Sequence, residues 1–402
     1  MRQDRRRFLA AMGWGAIGTA AARAVHADDA VCPPGDGALR LEHFQPRSML
    51  HVKETHVATP RFPVVDAHTH FTFTASETPG VATGQKMSFL TTASDALAVM
   101  DRKHVRAVVN LTGGTGKGLE ATLAHFDRAH PGRFLTCTEP LYGAWLDPRY
   151  PQLQADAVEQ AARAGAKGLK VLKALGLGLR ERLTEGPLVK VDDRRFDPMW
   201  EACAAHRLPV FIHVSDPEAF FLPIDCTNER YDELGHHPEW SFHGRDFPSF
   251  AELMAARDRV LARHPRTRFV GLHVGHNAEN LGLVSETLGR FPNFAVETGA
   301  RVGELGRQPR TSRRFFETYQ DRILFGTDAI PPPEGEKYPQ QVFKDLLYEI
   351  YYRFLETEDE YFDYAPAAVP PQGRWRIYGI GLPDGILKKV YHENAERILG
   401  LG

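Results

Sequence analysis

Two histidines separated by one residue end a short apolar segment near position 65. The segment Val64–His70 reads VVDAHTH, and its β-prone residues predict a strand. In a strand, residues i and i+2 point to the same side, so His68 and His70 can direct their imidazoles to one point. Neutral imidazole is a common ligand of divalent metals. The pair indicates a candidate metal site, although a chain with 18 histidines also contains pairs that arise by chance.

Three later apolar segments also end in a histidine or an aspartate. PVFIH ends at His213, FVGLH ends at His273, and RILFGTD ends at Asp328. Strand-like and helix-like segments alternate after residue 60, which predicts a (β/α)8 TIM barrel. The eight predicted strands are residues 64–68, 107–111, 134–138, 168–171, 210–213, 269–273, 294–297 and 323–325. Because residues at the strand C-termini line the mouth of such a barrel, we expect these polar side chains to converge there.

Helical patterns and long connections complete the predicted barrel. The helices are predicted at residues 94–103, 118–130, 156–164, 198–206, 250–264 and 311–319. Two connections exceed the usual length, residues 214–249 after the fifth strand and residues 330–385 after the eighth. Both leave the C-terminal end of a strand, so they could cover the mouth as lids or pack on its rim. Within the second, the acidic run 355–360 is interpreted as a solvated helix face. No separate β-sandwich domain is predicted.

The N-terminus has the pattern of an export signal. RRRFL at residues 5–9 resembles the twin-arginine motif, and it precedes a weakly apolar stretch that ends in VHA at residues 25–27. Residues 1–27 are therefore predicted to be a twin-arginine-type signal peptide, which predicts a periplasmic or otherwise exported protein. Residues 28–60 are interpreted as an N-terminal extension, and residues 61–402 as one barrel domain.

Composition excludes several other classes of protein. The chain is 43% hydrophobic and 25% charged, and its net charge of −2 does not suggest a nucleic-acid-binding surface. No segment after the N-terminus has the apolar length of a membrane span. The four cysteines lack the C-x-x-C spacing of a zinc knuckle and are too few for a disulfide scaffold, while one bridge in an oxidising compartment stays open. They are Cys32, Cys137, Cys203 and Cys226. The sequence does not indicate the oligomeric state.

These motifs resemble the metal-dependent amidohydrolase superfamily, in the branch that contains aminocarboxymuconate-semialdehyde decarboxylase and related hydrolases and lactonases. The resemblance covers residues 63–399 and rests on VVDAHTHF, FIHV, GLHVGH, ILFGTD and the tail YHENAERILG. It implies that one metal is held by His68, His70, His213 and Asp328, and that His273 is the acid/base residue. Asp328 is implied either to bind the metal or to orient the attacking water.

The implied ligands indicate both the metal and the reaction. Imidazole nitrogens and a carboxylate favour zinc, while manganese, iron, cobalt and nickel accept the same ligands. A metal with an open position lowers the pKa of bound water toward about 7, and His273 could carry the proton. We therefore predict an exported metal-dependent hydrolase that cleaves an ester, lactone or amide bond of a small molecule. Two alternatives stay open: a metal-dependent non-oxidative decarboxylase of a small carboxylic acid, and a catalytically retired periplasmic binding protein.

Four further residues are candidates for contact with the substrate. Lys170 and Lys173 follow the fourth strand, where some amidohydrolases carry a carboxylated lysine that bridges two metals. The branch named above uses one metal, so an ordinary cationic contact is the preferred interpretation of Lys170. His276 competes with His273 as the proton carrier. Arg301 follows the seventh strand and could pair with a substrate carboxylate.

Arg301 and a glycine-rich segment after the second strand both have simpler interpretations than substrate binding. Arg301 could instead form a salt bridge with Glu297 or Glu304. GGTGKG at residues 113–118 superficially resembles a phosphate-binding loop, but it lacks the Walker spacing. We interpret it as a turn after the second strand.

Overall fold

The computed structural model describes residues 39–40, 44, 46–75, 83–244, 246–332, 341–366 and 371–401. The predicted signal peptide and Cys32 lie outside these residues, as do parts of the connection after the eighth strand. Cys137, Cys203 and Cys226 are free thiols, and the first two are buried. None of the described helices is long and apolar enough to cross a membrane.

Parallel strands form the framework, and we number the barrel strands one to eight in chain order. They are Val64–Thr69, Val105–Asn110, Phe134–Thr136, Leu169–Val171, Val210–Ile212, Phe269–Gly271, Phe294–Glu297 and Ile323–Leu324. Strands one to three form one sheet, and strands four to eight form a second. Parallel bridges between Thr138 and Leu169, and between Thr69 and Ala329, join the two sheets at both edges. The eight strands are therefore arranged as the (β/α)8 barrel that the sequence predicts.

The strands are apolar throughout because both of their faces are buried. Val65, Ala67 and Phe211 belong to a cluster that fills the barrel interior. Val64 and Val210 belong to the larger cluster between the strands and the surrounding helices. Burial on both faces is typical of parallel strands and explains why the sequence shows continuous apolar runs rather than alternation.

Helices connect the strands and cover the outside of the barrel. Their starts follow local sequence signals: Ser249 and Glu252 form a capping box, and the Thr92 hydroxyl accepts a hydrogen bond from the backbone N–H of Asp95. All six predicted helices are present, although the third begins six residues before its predicted start. The main helices are Ala93–Arg102, Gly116–His125, Tyr150–Ala164, Asp197–Ala205, Phe250–Arg263, Leu281–Arg290, Val302–Arg307, Pro309–Thr318, Asp345–Glu356, Asp384–Lys388 and Asn394–Leu399. An antiparallel hairpin of Thr72–Thr74 with Met87–Phe89 was not predicted.

The two long connections pack against the barrel in different ways. The first contains the short helix Tyr231–His236 and has a small apolar cluster of its own. The second contains the helix Asp345–Glu356, which buries three tyrosines against the barrel strands. These tyrosines are Tyr348, Tyr351 and Tyr352.

The interpretation of residues 355–360 as a solvated helix face holds only in part, since Glu358 and Glu360 are exposed but lie beyond the helix. The helix ends at Glu356, and Glu356 and Asp359 are both buried. Asp359 accepts hydrogen bonds from the hydroxyl of Thr55 at 2.8 Å and from Nε of Arg353 at 2.9 Å. The carboxylate is buried because the N-terminal extension crosses this part of the chain and supplies a polar partner.

Candidate metal centre at the barrel mouth

The histidines and the aspartate predicted from the strand ends meet at the C-terminal end of the barrel. His68, His273 and Asp328 bring potential ligand atoms within 4.8 Å of one another. Nε2 of His68 lies 2.9 Å from Oδ1 of Asp328, and Nε2 of His70 lies 3.1 Å from the same oxygen. The ring centroid of His213 lies 4.5 Å from that of His273. We call these five residues the cage: His68, His70, His213, His273 and Asp328.

The backbone reaches the cage through left-handed conformations that the sequence did not reveal. After strand six, φ is 54° at His273, 57° at Val274 and 71° at His276, and after strand eight it is 62° at Asp328. A β-branched residue such as Val274 rarely adopts positive φ. Such strain costs on the order of 1–3 kcal/mol per residue and persists where the surrounding structure fixes it, often at functional sites.

Hydrogen bonds on the far side of three rings fix their orientation. Nδ1 of His68 donates to Oε1 of Glu297 at 3.1 Å, and Nδ1 of His273 donates to the carbonyl of Gly299 at 2.8 Å. Nδ1 of His70 donates to the hydroxyl of Thr112 at 2.9 Å, because that hydroxyl already donates its own proton to the carbonyl of Thr72. Each Nδ1 therefore carries the proton, and each Nε2 presents a lone pair to the cage.

This arrangement of donor atoms fits a divalent metal. Lone pairs from three imidazoles and a carboxylate repel one another when they face a common point, and a cation at that point turns the repulsion into attraction. Nε2 of His213 is buried and has no hydrogen-bond partner among the described residues. It is therefore a further nitrogen beside the same point that a metal could bind. Imidazole nitrogen and carboxylate oxygen are ligands of zinc and of several other divalent metals.

Burial keeps most of the cage histidines neutral, as metal binding requires. It lowers the pKa of His70 to about 4. Burial, followed by the charge of Lys170, holds the pKa of His213 well below 6.5, and burial with the charge of Arg301 does the same for His273. His68 differs, because the carboxylates of Asp328 and Glu297 outweigh its burial and raise its pKa above 6.5.

Glu297 on strand seven supports the cage from behind, a role that the sequence did not reveal. Its side chain has no exposed surface, and it accepts the backbone N–H groups of His273 and Gly299, each at 2.5 Å, in addition to Nδ1 of His68. Gly326 leaves room for it, since a Cβ at that position would lie 2.2 Å from Oε2 of Glu297. From the sequence, Glu297 was considered only as a possible partner of Arg301.

Asp66, two residues before His68, is a second supporting carboxylate that sequence reasoning missed. It accepts the backbone N–H of His68 at 3.1 Å and the hydroxyl of Thr327 at 2.6 Å. The hydroxyl of Tyr348 donates to it at 2.8 Å. Burial raises the pKa of Asp66 to about 6, and these hydrogen bonds oppose the rise. Asp66 thereby joins the strand that carries His68 to the loop that carries Asp328.

The four predicted substrate-contact residues all lie near the cage, with different partners. Nζ of Lys173 lies 2.5 Å from Oδ2 of Asp216, so its charge is already paired. His276 accepts the backbone N–H of Val214 on Nε2 at 3.2 Å, and its ring stacks on His213 with a centroid separation of 5.5 Å. Lys170 is buried on strand four.

Arg301 does not form either of the salt bridges that were considered for it. Its Nη1 donates to the carbonyl of Ala300 at 2.8 Å, and within the described ranges no carboxylate pairs with it. Glu304 pairs instead with Arg230, and Glu297 pairs with His68. Arg301 is 6% exposed, so its guanidinium is a buried cation with unused donors.

Comparison with known proteins identifies the family. A sequence model described as Amidohydrolase matches residues 65–401. The chain belongs to the amidohydrolase family. This finding confirms the resemblance that the strand-end motifs indicated and the barrel fold that it implied. No curated protein matches the sequence of this amidohydrolase.

Solved structures share the fold of this amidohydrolase at low sequence identity. A 2,6-dihydroxybenzoate decarboxylase from Rhizobium is 17% identical with a TM-score of 0.50, over 84% of this chain and 99% of the other. A dihydroxybenzoic acid decarboxylase from Polaromonas sp. JS666, with bound manganese and the inhibitor 2-nitroresorcinol, is 16% identical with a TM-score of 0.50, over 84% and 97%. At these identities the likeness shows the fold alone.

Proposed function

We propose that this amidohydrolase is a metal-dependent decarboxylase that acts on a small carboxylic acid. The cage carries the proposal, because its imidazole lone pairs and the Asp328 carboxylate converge at the mouth of the barrel and fit a divalent metal. The decarboxylases with the same fold favour this alternative over the hydrolase that the sequence motifs predicted. Arg301 adds support, since a buried cation without a carboxylate partner among the described residues suits an anionic substrate.

The chain's own residues would bind the acid and supply a proton. A divalent cation held by His68, His70, His213 and Asp328 would bind and polarise oxygen atoms of the acid, which leaves Nε2 of His273 for the proton. Decarboxylation breaks the bond between the carboxylate carbon and its neighbour, leaves the electron pair on the neighbour, and replaces carbon dioxide by a proton.

His273 is the residue that we propose to hold this proton. Its Nδ1–H donates to the carbonyl of Gly299, so Nε2, which faces the cage, is the atom that takes and gives the proton. Burial holds the pKa of His273 well below 6.5, with a further lowering by the charge of Arg301. His273 therefore rests as the neutral imidazole, and we propose that Nε2 takes up a proton only transiently before it passes the proton to the carbon.

The proposal is tested by measuring two products on one panel of compounds. Enzyme loaded with zinc or with manganese would be given hydroxybenzoic acids, including 2,6-dihydroxybenzoate, and small lactones. We expect carbon dioxide release from an acid, and loss of this release in the His70→Ala variant. Acid production from a lactone without carbon dioxide would contradict the proposal and support the hydrolase. A parent protein without bound metal or turnover would support the binding-protein alternative.

A further inference from the structure

A buried ammonium group lies beside the cage without a protein partner. Lys170 is on barrel strand four and is 1% exposed. Its backbone N–H donates to the carbonyl of Thr138 at 2.8 Å. Its Nζ, in contrast, forms no hydrogen bond or ion pair with any residue that the structure describes.

Strand pairing determines the direction of the Lys170 side chain. Leu169 belongs to the outer core, and Phe211, which pairs with Lys170 in register, belongs to the interior cluster. Because neighbouring residues on a strand point to opposite faces, Lys170 points into the barrel. The bridge between Thr138 and Leu169 places Glu139 on the same side. Lys170 therefore lies in the mouth between Glu139, which follows strand three, and His213, which follows strand five.

The charge of Lys170 acts on the cage. Burial is the largest cause of the low pKa of His213, and the charge of Lys170 is the second largest. The charge of Lys170 also lowers the pKa of His70, where burial and Asp328 have larger effects. Burial lowers the pKa of Lys170 itself to about 8, while the carboxylates of Asp328 and Glu297 oppose this change. The protonated form therefore prevails at pH 7, and its positive charge lies close to the cage.

Glu139 offsets this charge only in part. Its Oε2 accepts the backbone N–H of Gly114 at 2.9 Å, and no ion pair joins it to Lys170. Burial raises the pKa of Glu139 to about 7, although the charge of Lys170 and the bond to Gly114 oppose the rise. Its carboxyl group is therefore about half ionised near pH 7, so it offsets the charge of Lys170 only in part. Among the described residues, the three N–H donors of Lys170 consequently lack an acceptor and are available to a ligand.

We propose that Lys170 is the anchor of an anion-binding subsite in the barrel mouth, which holds a carboxylate group of the substrate beside the cage. The proposal rests on the function proposed above and specifies how the acid is recognised. A carboxylate supplies the acceptors that the ammonium lacks, through charge-assisted hydrogen bonds. An ester, an amide or an alcohol brings no negative charge, so the subsite selects free acids. Lys173 is not equivalent, because Asp216 already neutralises it.

Binding of benzoate to the zinc-loaded protein tests the subsite without requiring turnover. Isothermal titration calorimetry would compare the parent with Lys170→Met and with Lys117→Met, a control that removes an exposed lysine from the first turn of the helix Gly116–His125. We expect Lys170→Met to weaken benzoate binding about tenfold to a hundredfold, as for loss of a hydrogen bond to a charged group. Lys117→Met should bind benzoate like the parent. Neutral benzamide should bind the parent and Lys170→Met alike.

Metal content and thermal unfolding of Lys170→Met separate recognition from folding. Methionine replaces a buried unpaired charge by an apolar chain of similar length, so we expect the variant to fold and to retain zinc. Benzoate binding that is equal in Lys170→Met and the parent would overturn the proposal. Absence of benzoate binding by the parent at millimolar concentration would overturn it as well.

The proposed activity and the subsite can fail separately. If Lys170→Met loses benzoate affinity but the parent releases no carbon dioxide from any acid, the subsite stands and the decarboxylase assignment fails. If the parent decarboxylates an acid and Lys170→Met binds benzoate normally, the decarboxylase assignment stands and the subsite fails.

Discussion

The carboxylate of Glu297 accepts a hydrogen bond from Nδ1 of His68 at 3.1 Å, and neither side chain has exposed surface. The same oxygen accepts the backbone N–H of His273 at 2.5 Å. One carboxylate on strand seven therefore orients two cage histidines that come from strands one and six. Partners of this kind fix the tautomer of a ligating imidazole and increase its basicity.

Replacement of Glu297 by glutamine should weaken metal binding. The amide has nearly the same shape but carries no charge to support His68, so we expect zinc affinity to fall about tenfold to a hundredfold. Competition with a chromophoric chelator measures the affinity. Glu317→Gln is the control, because Glu317 is exposed on the outer helix Pro309–Thr318. Equal zinc affinities of Glu297→Gln and the parent would contradict a supporting role.

Removal of the metal should lower the stability of the folded chain. A ligand that binds only the folded state stabilises it by about 4 kcal/mol when its concentration is a thousand times its dissociation constant. We therefore expect a chelator to lower the Tm of the parent and added zinc or manganese to restore it. His70→Ala should show little response to either treatment. Calorimetry measures both, and a metal response in His70→Ala as large as in the parent would argue against the cage as the binding site.

The barrel and the cage were predictable because their signals are local. A strand buried on both faces is an apolar run, and a histidine or aspartate at its end, such as His213 or Asp328, is visible in the sequence. The supporting contacts have no local signal. Glu297 and His68 are 229 positions apart, and Thr327 and Asp66 are 261 positions apart.

Contacts between residues far apart in sequence also explain where the predictions failed. Asp359 is part of an acidic run that usually indicates a solvated surface, but its partner Thr55 lies 304 positions away in the N-terminal extension. The left-handed backbone at His273 and Asp328 is also invisible, because neither is a glycine and only the folded barrel imposes that conformation.

The metal-free protein should lose stability on acidification through His70. Its pKa is about 4 in the folded chain because of burial, against 6.5 for the free side chain. Between these values the unfolded chain binds a proton that the folded chain excludes, so stability that is present above pH 6.5 is lost as the pH falls to 4. The loss amounts to about 3 kcal/mol for this one group.

Two variants isolate the contribution of His70. Urea unfolding of the chelator-treated protein should give a shallower loss of stability between pH 6.5 and 4.5 for His70→Gln than for the parent. His206→Gln is the control, since His206 is exposed. His68 acts in the opposite direction, because its raised pKa adds stability below pH 6.5 that is lost as the pH rises through the folded value. An unchanged pH dependence in His70→Gln would show that His70 is not held neutral.

Two neighbouring tyrosines on the helix Asp345–Glu356 provide a matched test of how the loops at the mouth are held. The Tyr351 hydroxyl accepts the backbone N–H of Ala300 at 2.9 Å and donates to the carbonyl of Thr327 at 3.2 Å. It therefore joins the loop before Arg301 to the loop before Asp328. The Tyr352 hydroxyl donates to the carbonyl of Lys103 at 2.8 Å.

Loss of either hydroxyl should cost stability, but only one loss should affect the metal site. Tyr352→Phe leaves the buried carbonyl of Lys103 without its hydroxyl partner. Tyr351→Phe removes two hydrogen bonds, and the Ala300 N–H and the Thr327 carbonyl then keep only their bond to each other at 3.2 Å. Each change should cost on the order of 1 kcal/mol of unfolding free energy. Only Tyr351→Phe removes a contact to the loop that carries Asp328, although Asp66 still binds Thr327 of that loop, so we expect it alone to weaken zinc binding. Urea unfolding and zinc titration on both variants measure the two effects. Both variants lose stability, so a difference in zinc affinity between them cannot be explained by that loss. Equal zinc affinities would mean that strand eight holds Asp328 in place without Tyr351.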